Sequence, residues 1–493
     1  MESTTLEITD VDWAFADMVA RHYVLKDDWI RAFLAEMMAS TRGGNVCIEV
    51  SDDQLRRIPE CLIAKGANAD RLLKHHGSEL YFHRYWHLES KLIEPILKRI
   101  IATPEIKPQP IDGLNAKQRI AVSQAMACQF FILSGGPGTG KTHTIARIVE
   151  QFSGQSIALA APTGKAVSKL RESIVNPGIF FGTLHALLDI KQAKDVLKIP
   201  AKLPYNIVIV DECSMIDIGM WGALLEACSE DTRLILVGDA NQLPSVEGGS
   251  VFEQLCHFFQ TTQCVGLVEL TECMRTDQKE LQQIAVQVLQ GSSQDIPLVD
   301  LPSAPDLIQH LSPLFTQKLP DGIDNTTLLA EGKKFQLLCA LRKGPNGCDA
   351  LNQMLHSLIS KELKKDDRLA VPIIITRNAF DLGLSNGDTG VWIHGQKEDV
   401  VIFEDRVMPR AMVPSFDLAY VLSVHKSQGS EYENIYLLLP PGSEYFGRKV
   451  LYTAITRARS KLTIAGSCDT VQMCIENATT RLSGLSDRLR GIK

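Results

Sequence analysis

The 493-residue sequence lacks several features that would assign it to common protein classes. It has no apolar run long enough to span a membrane, so no membrane helix is expected. Its first residues are acidic and contain no apolar signal segment, which predicts a cytoplasmic protein. Its twelve cysteines are scattered and form no C-x-x-C pair. We therefore expect reduced core thiols, and no disulfides, zinc site or iron–sulfur cluster.

An excess of positive charge is also missing. The formal net charge of −7 at pH 7 argues against a protein that coats nucleic acid non-specifically, although a local basic groove is compatible with it. The chain does have length and an apolar share of 45%. These values are typical of a soluble globular protein with about two to four domains.

A glycine-rich loop between an apolar strand and a helix organises the chain. It fits the pattern G-x-x-x-x-G-K-T and directly follows the apolar residues 130–133. Glycines let backbone N–H groups turn toward a triphosphate, the lysine reaches its terminal phosphates, and the threonine hydroxyl can bind Mg²⁺. We therefore predict a nucleotide site with Mg²⁺, formed by Gly135, Gly136, Pro137, Gly138, Thr139, Gly140, Lys141, Thr142 and His143.

Polar residues after later strands suit nucleotide hydrolysis. Asp211 and Glu212 end an apolar strand. We predict that Asp211 holds Mg²⁺ together with Thr142, and that Glu212 polarises the attacking water. Gln242 follows the next strand and is placed to sense the γ-phosphate, because an amide both donates and accepts. Arg275 lies just beyond a fifth strand, where it can pair with phosphate.

Other candidates have plainer alternatives. Gln118 precedes the loop and can read both edges of an adenine, or it can be an ordinary surface residue of its helix. Thr163 and Lys165 follow a strand at the usual ligand edge of a parallel sheet. Thr183 and His185 can supply polar contacts, although a lone histidine in such a segment is usually packing.

The order of elements predicts the architecture. Residues 1–108 carry apolar residues at helical spacing, and the aromatic group at 81–86 is either core or an exposed docking patch. Repeated strand–helix units predict parallel α/β domains at 109–275 and 276–493. Short strands at about 388–416 predict a small β-barrel inserted in the second domain. Residues 450–459 read as a helix, and residues 371–378 as part of the second parallel sheet.

A P-loop domain next to a second α/β domain holds its nucleotide in the cleft between them. That arrangement calls for a cationic side chain supplied by the second domain. Arg457 is the best candidate, although Arg457 and Arg459 could both be ordinary surface charges.

The ordered set of motifs resembles the superfamily 1 helicases, in particular group 1B. It most closely resembles the RecD family, the helicase subunits of bacterial RecBCD complexes (exodeoxyribonuclease V). The resemblance covers about residues 110–493, through segments at 114–119, 135–142, 161–166, 183–187, 210–216, 238–244, 270–275, 376–388, 424–431 and 452–459.

The resemblance implies two RecA-like domains, an SH3-like barrel and ATP-driven 5′→3′ movement on single-stranded DNA during double-strand-break repair by homologous recombination. It implies RecB-like and RecC-like partner subunits, with residues 1–108 docking on the RecC-like subunit and nuclease activity in a partner. Glu431 would approach the ribose of the nucleotide. DNA would run past Thr163, Lys165, Thr183, His185, Arg377, Asn378, His425, Lys426 and Ser427.

Two other interpretations remain. One is a stand-alone superfamily 1B helicase without RecB-like or RecC-like partners, although the paired G-x-G hairpins common in that form are not found in residues 1–108. The other is a scaffold subunit with a vestigial ATPase. The second is disfavoured because Lys141, Asp211, Glu212, Gln242 and Arg457 are all present.

Overall fold

The computed structural model describes most of the chain. Arg275 and the predicted domain boundary near residue 108 lie outside the described residues. Within the described part of the chain, no helix combines the length and apolarity needed to cross a membrane. The described residues are 7–64, 70–101, 111–174, 176, 178–190, 200–245, 247–272, 274, 279–294, 296–364, 367–395, 399–478 and 480–491.

The N-terminal region contains a small antiparallel sheet in addition to the predicted helices. Its three strands pair in the order β1-β3-β2. The helical prediction missed them because strands of three or four residues are too short to show alternation. The elements are α1 Asp10–His22, α2 Asp28–Arg42, β1 Cys47–Glu49, α3 Asp52–Arg57, β2 Leu73–His76, β3 Glu79–Phe82 and α4 His83–Ile101.

A parallel sheet of six strands forms the centre of what we call the first lobe, residues 111–272. The strand order is β6-β5-β7-β8-β4-β9, and β4, β7 and β8 are buried along their whole length, as expected where helices cover both faces. The elements are α5 Ala116–Ala127, β4 Phe130–Gly135, α6 Lys141–Gln151, β5 Ile157–Ala161, α7 Gly164–Ser173, β6 Phe180–Thr183, α8 Leu184–Leu187, β7 Ile207–Val210, α9 Ile218–Ala227, β8 Arg233–Gly238, α10 Val251–Thr262 and β9 Leu267–Leu270.

Helix α4 belongs to the core of the first lobe. Its Leu92 and Ile96 are fully buried in one cluster with Trp221 of α9. Arg99 of α4 also donates hydrogen bonds to the carbonyls of Thr232, at 3.4 Å, and Cys228, at 3.3 Å. The N-terminal region and the first lobe therefore share buried apolar surface. The predicted boundary at residue 108 does not separate two independent cores.

A second parallel sheet forms the centre of the second lobe, residues 279–478. Its order is β10-β19-β18-β11-β17. The predicted helix at 450–459 is too long: α16 ends at Ile455, and Ala458 already pairs with Tyr432 of the neighbouring strand. The elements outside the insertion are α11 Lys279–Leu289, β10 Leu298–Val299, α12 Ala304–His310, α13 Pro313–Thr316, α14 Asn325–Lys334, β11 Phe335–Cys339, α15 Cys348–Lys361, β17 Val421–Ser423, β18 Tyr432–Leu439, α16 Gly447–Ile455, β19 Ala458–Gly466 and α17 Cys468–Glu476.

An antiparallel sheet interrupts the second lobe. Its order is β15-β14-β13-β12-β16, so β12 was wrongly assigned to the parallel sheet and the insertion begins near residue 369. The strand predicted at 410–413 is instead a 3₁₀ turn at Arg410–Met412. An SH3-like closed barrel stays a prediction. The strands are β12 Leu369–Ile375, β13 Thr389–His394, β14 Val400–Ile402, β15 Val407–Pro409 and β16 Phe416–Leu418.

The end of the chain returns to the first lobe. Helix α18, Leu485–Arg490, buries Leu485 and Leu489 in the first-lobe core. Arg488 forms a buried ion pair of 2.9 Å with Glu89 of α4. The last residues therefore connect all three parts of the molecule.

Candidate nucleotide site between the lobes

The loop after β4 has the backbone geometry of a phosphate cradle. Gly138 and Gly140 have φ of +73° and +84°, a region that strains other residues. The Lys141 Nζ donates to the carbonyls of Gly135, at 2.6 Å, and Gly136, at 3.0 Å. Helix α6 starts at Lys141, so its N-terminus faces the same loop. Loop and helix together favour an anion at this point.

The two carboxylates predicted after β7 lie in unusual surroundings. Burial, followed by the charge of Glu212, raises the pKa of Asp211 to about 6, and Lys141 opposes that rise. Glu212 has φ of +55° and donates its N–H to Asp211 Oδ1 at 2.8 Å. A non-glycine residue in that conformation costs on the order of 1–3 kcal/mol and is typical of functional sites. The strand end is therefore strained and rich in negative charge.

A buried carboxylate connects the two lobes beside the P-loop. Asp239, just after β8, accepts hydrogen bonds from Gln242 Nε2 at 3.1 Å and from Tyr452 Oη of α16 at 2.9 Å. A Cβ on Gly136 would lie 3.0 Å from that same hydroxyl. Tyr452 therefore reaches from the second lobe to the edge of the phosphate loop.

Gln242 lies where a γ-phosphate sensor is expected, and one of its side-chain atoms is available as a hydrogen-bond acceptor. It is only 3% exposed. Its Nε2 is bound to Asp239, while its Oε1 has no hydrogen-bond partner among the described residues. A buried acceptor without a partner is costly in a folded protein. Such an atom is well suited to receive a proton donor that arrives with the substrate.

The backbone of Leu243 is held from both sides by the second lobe. Its N–H donates to Thr453 Oγ1 at 2.8 Å, and its carbonyl accepts from Gln428 Nε2 at 2.7 Å. All of these groups are buried. The segment that contains Asp239 and Gln242 is therefore fixed to the second lobe as well as to its own sheet.

Arg457 is buried at the same interface. It is 3% exposed, and it donates to the carbonyls of Thr453, at 3.2 Å, and Ser430, at 3.4 Å. Its charge acts on Tyr452, where it opposes the rise in pKa that burial and Asp239 cause. Among the described residues its hydrogen bonds go only to neutral oxygens, including Thr456 Oγ1. A buried guanidinium in that condition favours an anionic ligand.

Two predicted nucleotide contacts are engaged with protein. Gln118 is buried, accepts from the N–H of Asn115 at 3.1 Å and donates to the Thr139 carbonyl at 3.4 Å. Glu431 pairs with Lys169 of the first lobe at 2.7 Å and with Arg459 at 2.9 Å. Adenine and ribose contacts through these residues stay predictions.

Some predicted DNA contacts are exposed side chains, and others already form hydrogen bonds within the protein. Arg377 and Asn378 are exposed on the loop after β12, whereas Lys165 and Lys426 donate to Ser430 Oγ, at 2.9 Å, and Asp417 Oδ2, at 2.8 Å. Burial lowers the pKa of Lys165 to about 8. The lysines therefore have protein partners that a phosphate would have to replace.

The remaining DNA candidates have structural tasks. Thr163 and Thr183 cap the N-termini of α7 and α8 through their hydroxyls. Burial lowers the pKa of His185, and burial with the charge of Arg481 lowers that of His425 to about 4. Ser427 is 0% exposed and donates to the Val424 carbonyl at 2.7 Å. Its hydroxyl is engaged with protein, and a DNA contact through this side chain stays a prediction.

Three residues of the interface were not singled out from the sequence: Gln428, Tyr452 and Thr453. They lie inside segments that carried the resemblance, next to His425–Ser427 and Arg457. For Tyr452 and Thr453 the available signal was their position within the apolar second half of helix α16, residues 450–455, because buried polar groups need partners.

Fold and site together define a class: a two-lobed P-loop motor of the superfamily 1 helicase type. Residues 118–248 match the model of an AAA domain, and residues 418–465 match that of a UvrD-like helicase C-terminal domain. The RecBCD enzyme subunit RecD of Mycolicibacterium smegmatis is 30% identical, over 94% of each chain. The chain belongs to the RecD family of ATP-dependent DNA helicases.

Two further proteins are more distantly similar. The ATP-dependent RecD2 DNA helicase of Deinococcus radiodurans is 28% identical, over 83% of this chain and 58% of that protein. The structure of a Bacteroides Pif1 helicase in complex with ADP-AlF3 and single-stranded DNA aligns with a TM-score of 0.46 and 18% identity, over 78% of this chain and 97% of that one.

Proposed function

We propose that this helicase converts ATP hydrolysis between its lobes into 5′→3′ movement along single-stranded DNA, as the motor subunit of a cytoplasmic RecBCD-type complex for double-strand-break repair by homologous recombination. The observation that carries the proposal is the contact of Tyr452 with both Asp239 and the edge of the phosphate loop. A ligand that moves the loop must also move the second lobe.

The buried polar groups divide the work of hydrolysis. Lys141 leaves the loop carbonyls to bind the β- and γ-phosphates, Glu212 orients water, and Gln242 uses its free Oε1 to sense the reacting group. Arg457 stabilises charge on the γ-phosphate from the opposite lobe. Arg275 is proposed as a further phosphate contact on sequence grounds alone.

Asp211 and Thr142 fit a Mg²⁺ site. Asp211 is a buried carboxylate with a raised pKa, and its hydrogen bond comes from the backbone of Glu212 rather than from a cationic side chain. The charge of Lys141 compensates this group only in part, and hydroxyl and carboxylate oxygens are the ligands that Mg²⁺ prefers. The bound ion would neutralise phosphate charge during hydrolysis.

DNA is proposed to cross the lobes past Arg377, Asn378, Lys165, Lys426 and His425. The two lysines would exchange their present partners for phosphates when the lobes separate. Contacts of this kind are independent of base sequence and weaken with salt, which suits a motor that must pass any sequence.

RecB-like and RecC-like subunits are the proposed partners, with nuclease activity in one of them. Relatives named as RecBCD subunits match nearly the whole chain. Helix α1 exposes Val11 (65%) and Met18 (56%), two apolar side chains on one helical face that a partner could cover. Met18→Asp should weaken copurification with the partner subunits, whereas Met473→Asp on the exposed face of α17 should not.

Lys141→Gln tests the function directly. The variant should lose DNA-stimulated ATP hydrolysis and keep the unfolding temperature of the wild type. Lys117→Gln, at a half-buried lysine that donates to Thr271 Oγ1, is the matched control. Unchanged turnover in the Lys141 variant would contradict the proposed motor function. Unwinding of 3′-tailed but not 5′-tailed duplexes by the wild type would contradict the proposed 5′→3′ direction.

A further inference from the structure

A single arginine beyond the last helix of the second lobe contacts both the first lobe and the N-terminal region. The Arg481 Nη1 donates to the carbonyls of Ser245, at 2.6 Å, Glu247, at 2.9 Å, and Gly249, at 3.1 Å. The three carbonyls belong to one first-lobe loop, which begins three residues after Gln242. We call the described residues 245 and 247–249 the sensor loop. Arg481 therefore holds the continuation of the segment that contains Asp239 and Gln242.

The N-terminal region contributes a glycine to this junction. The guanidinium lies so close to Gly44 that any side chain at that position would collide with it, and Gly44 has φ of +96°. The Gly44 carbonyl in turn accepts from the N–H of Gly249 at 3.0 Å. The sensor loop is thus held between Arg481 on one side and the N-terminal region on the other.

The same cation lies beside the proposed DNA path. Its charge contributes, after burial, to lowering the pKa of His425 to about 4, so this histidine is neutral at physiological pH. His425 also packs edge-on against Phe446, with ring centroids 5.8 Å apart. A change in the position of His425 on DNA binding would therefore alter the surroundings of Arg481.

Stability alone does not explain a charged residue here. Burial lowers the pKa of Arg481 to about 10, which leaves it charged in a half-buried position. Its described hydrogen bonds go to carbonyls, and an apolar side chain of similar volume would avoid the desolvation cost. Three carbonyls brought together by one donor group instead give the loop a defined position.

We propose that Arg481 is a positioning residue that fixes the sensor loop between the N-terminal region and the second lobe, and thereby sets how strongly DNA stimulates ATP hydrolysis. The inference rests on the proposed function. It assigns to residue 481, outside every motif segment, the coupling between the DNA path, the N-terminal region and Gln242.

The test compares three variants of the full chain. Arg481→Met keeps the length of the side chain but removes its charge and donors, and Arg481→Lys keeps a cation with three donors. Arg490→Met is the matched control, because Arg490 tethers the same terminal segment through Thr261 without touching the sensor loop. Basal and DNA-stimulated ATP turnover and the unfolding temperature are measured for each.

In Arg481→Met, the ratio of DNA-stimulated to basal turnover should fall about tenfold, the size expected when charge-assisted hydrogen bonds are lost. Arg481→Lys should recover most of the ratio, and Arg490→Met should leave it unchanged. An unchanged ratio in Arg481→Met, or a parallel fall of both rates and of the unfolding temperature, would overturn the proposal. A wild-type chain without DNA stimulation would instead refute the proposed function itself.

Discussion

Two regions of the lobe interface are held together by different chemistry. At the buried centre, beside the phosphate loop, Tyr452, Thr453 and Gln428 bind the segment that contains Asp239 and Leu243 through hydrogen bonds of 2.7–2.9 Å. At the rim, near α7, Glu431 joins Lys169 of the first lobe to Arg459 through ion pairs, and both of these basic side chains are about half exposed. The centre is held by buried, directional hydrogen bonds, whereas the rim is held by ion pairs whose basic side chains are partly exposed to water.

The difference indicates separate roles for the two regions. Buried hydrogen bonds lose most of their energy when geometry changes by a few tenths of an ångström, so the centre can report the state of the nucleotide. The ion pairs of the rim join half-exposed basic side chains to a carboxylate that is 12% exposed, and they weaken with salt. The ion pairs of the rim can therefore separate at little energetic cost when DNA binds. The hydrogen bonds of the centre, which respond to the nucleotide, determine when they separate.

Among the substitutions that compare centre and rim, the largest effect is expected at Asp211, the buried carboxylate after β7. Asp211→Asn should lower ATP turnover by about 100-fold or more, because the predicted metal site loses its charge. The pKa of Asp211 is raised from 3.8 to about 6, so the ionised carboxylate destabilises the fold above that pH. The variant should unfold at a higher temperature than wild type at pH 8, and the gain should shrink toward pH 5. A gain that grows toward pH 5 would contradict the burial argument.

The hydroxyl of Tyr452 tests the centre without changing its charge. Tyr452→Phe leaves Asp239 with one donor fewer at a buried carboxylate, a loss of about 1.5–3 kcal/mol. DNA-stimulated turnover should fall about tenfold at any salt concentration. Tyr445→Phe, at an exposed tyrosine of the same lobe, should be silent. A loss of activity that disappears in high salt would place Tyr452 functionally with the rim.

Thr453→Val removes the acceptor for the Leu243 N–H while keeping the shape of the side chain. A buried donor without a partner costs about 1–3 kcal/mol, and we expect a turnover loss slightly smaller than that of Tyr452→Phe. Thr453→Ser retains the hydroxyl and should restore activity. Additive losses in the double variant with Tyr452→Phe would show that the two contacts are independent, contrary to a single connected centre.

The smallest effect is expected at the rim. Glu431→Gln breaks the bridge between Lys169 and Arg459 and should change turnover by no more than about twofold. The change should vanish in high salt because exposed charges are screened. Glu433→Gln, which faces Arg459 from within the second lobe, is the control for lost charge. A tenfold loss of turnover that persists in high salt would contradict the proposed difference between centre and rim.

The centre was partly visible in the sequence because its motifs are local. Lys141, Asp211 and Gln242 each follow a buried parallel strand, and strand ends of one sheet meet at one edge. Tyr452 and Arg481 gave no such signal, since each acts on residues more than two hundred positions away. Parallel pairing alone does not specify which lobe surfaces touch.

The rim and the insertion were harder to predict for a different reason. Strand β12 is as apolar as a parallel core strand, yet it pairs antiparallel with β13 and β16. Ser427 stands in a motif that favours DNA contact, but its hydroxyl closes a local turn. For β12 the burial was predicted and the pairing was not, whereas for Ser427 the burial itself was not predicted. Both depend on tertiary packing.

The most direct measurement is single-turnover ATP hydrolysis on single-stranded DNA by wild type and by Arg457→Ala, together with the affinity of each for ADP. We predict that Arg457→Ala lowers the hydrolysis rate by about 10³-fold, as expected for an arginine supplied across an interface. ADP affinity should change little, because the phosphate loop lies on the other lobe. Hydrolysis at the wild-type rate would contradict the claim that the two lobes share one catalytic site.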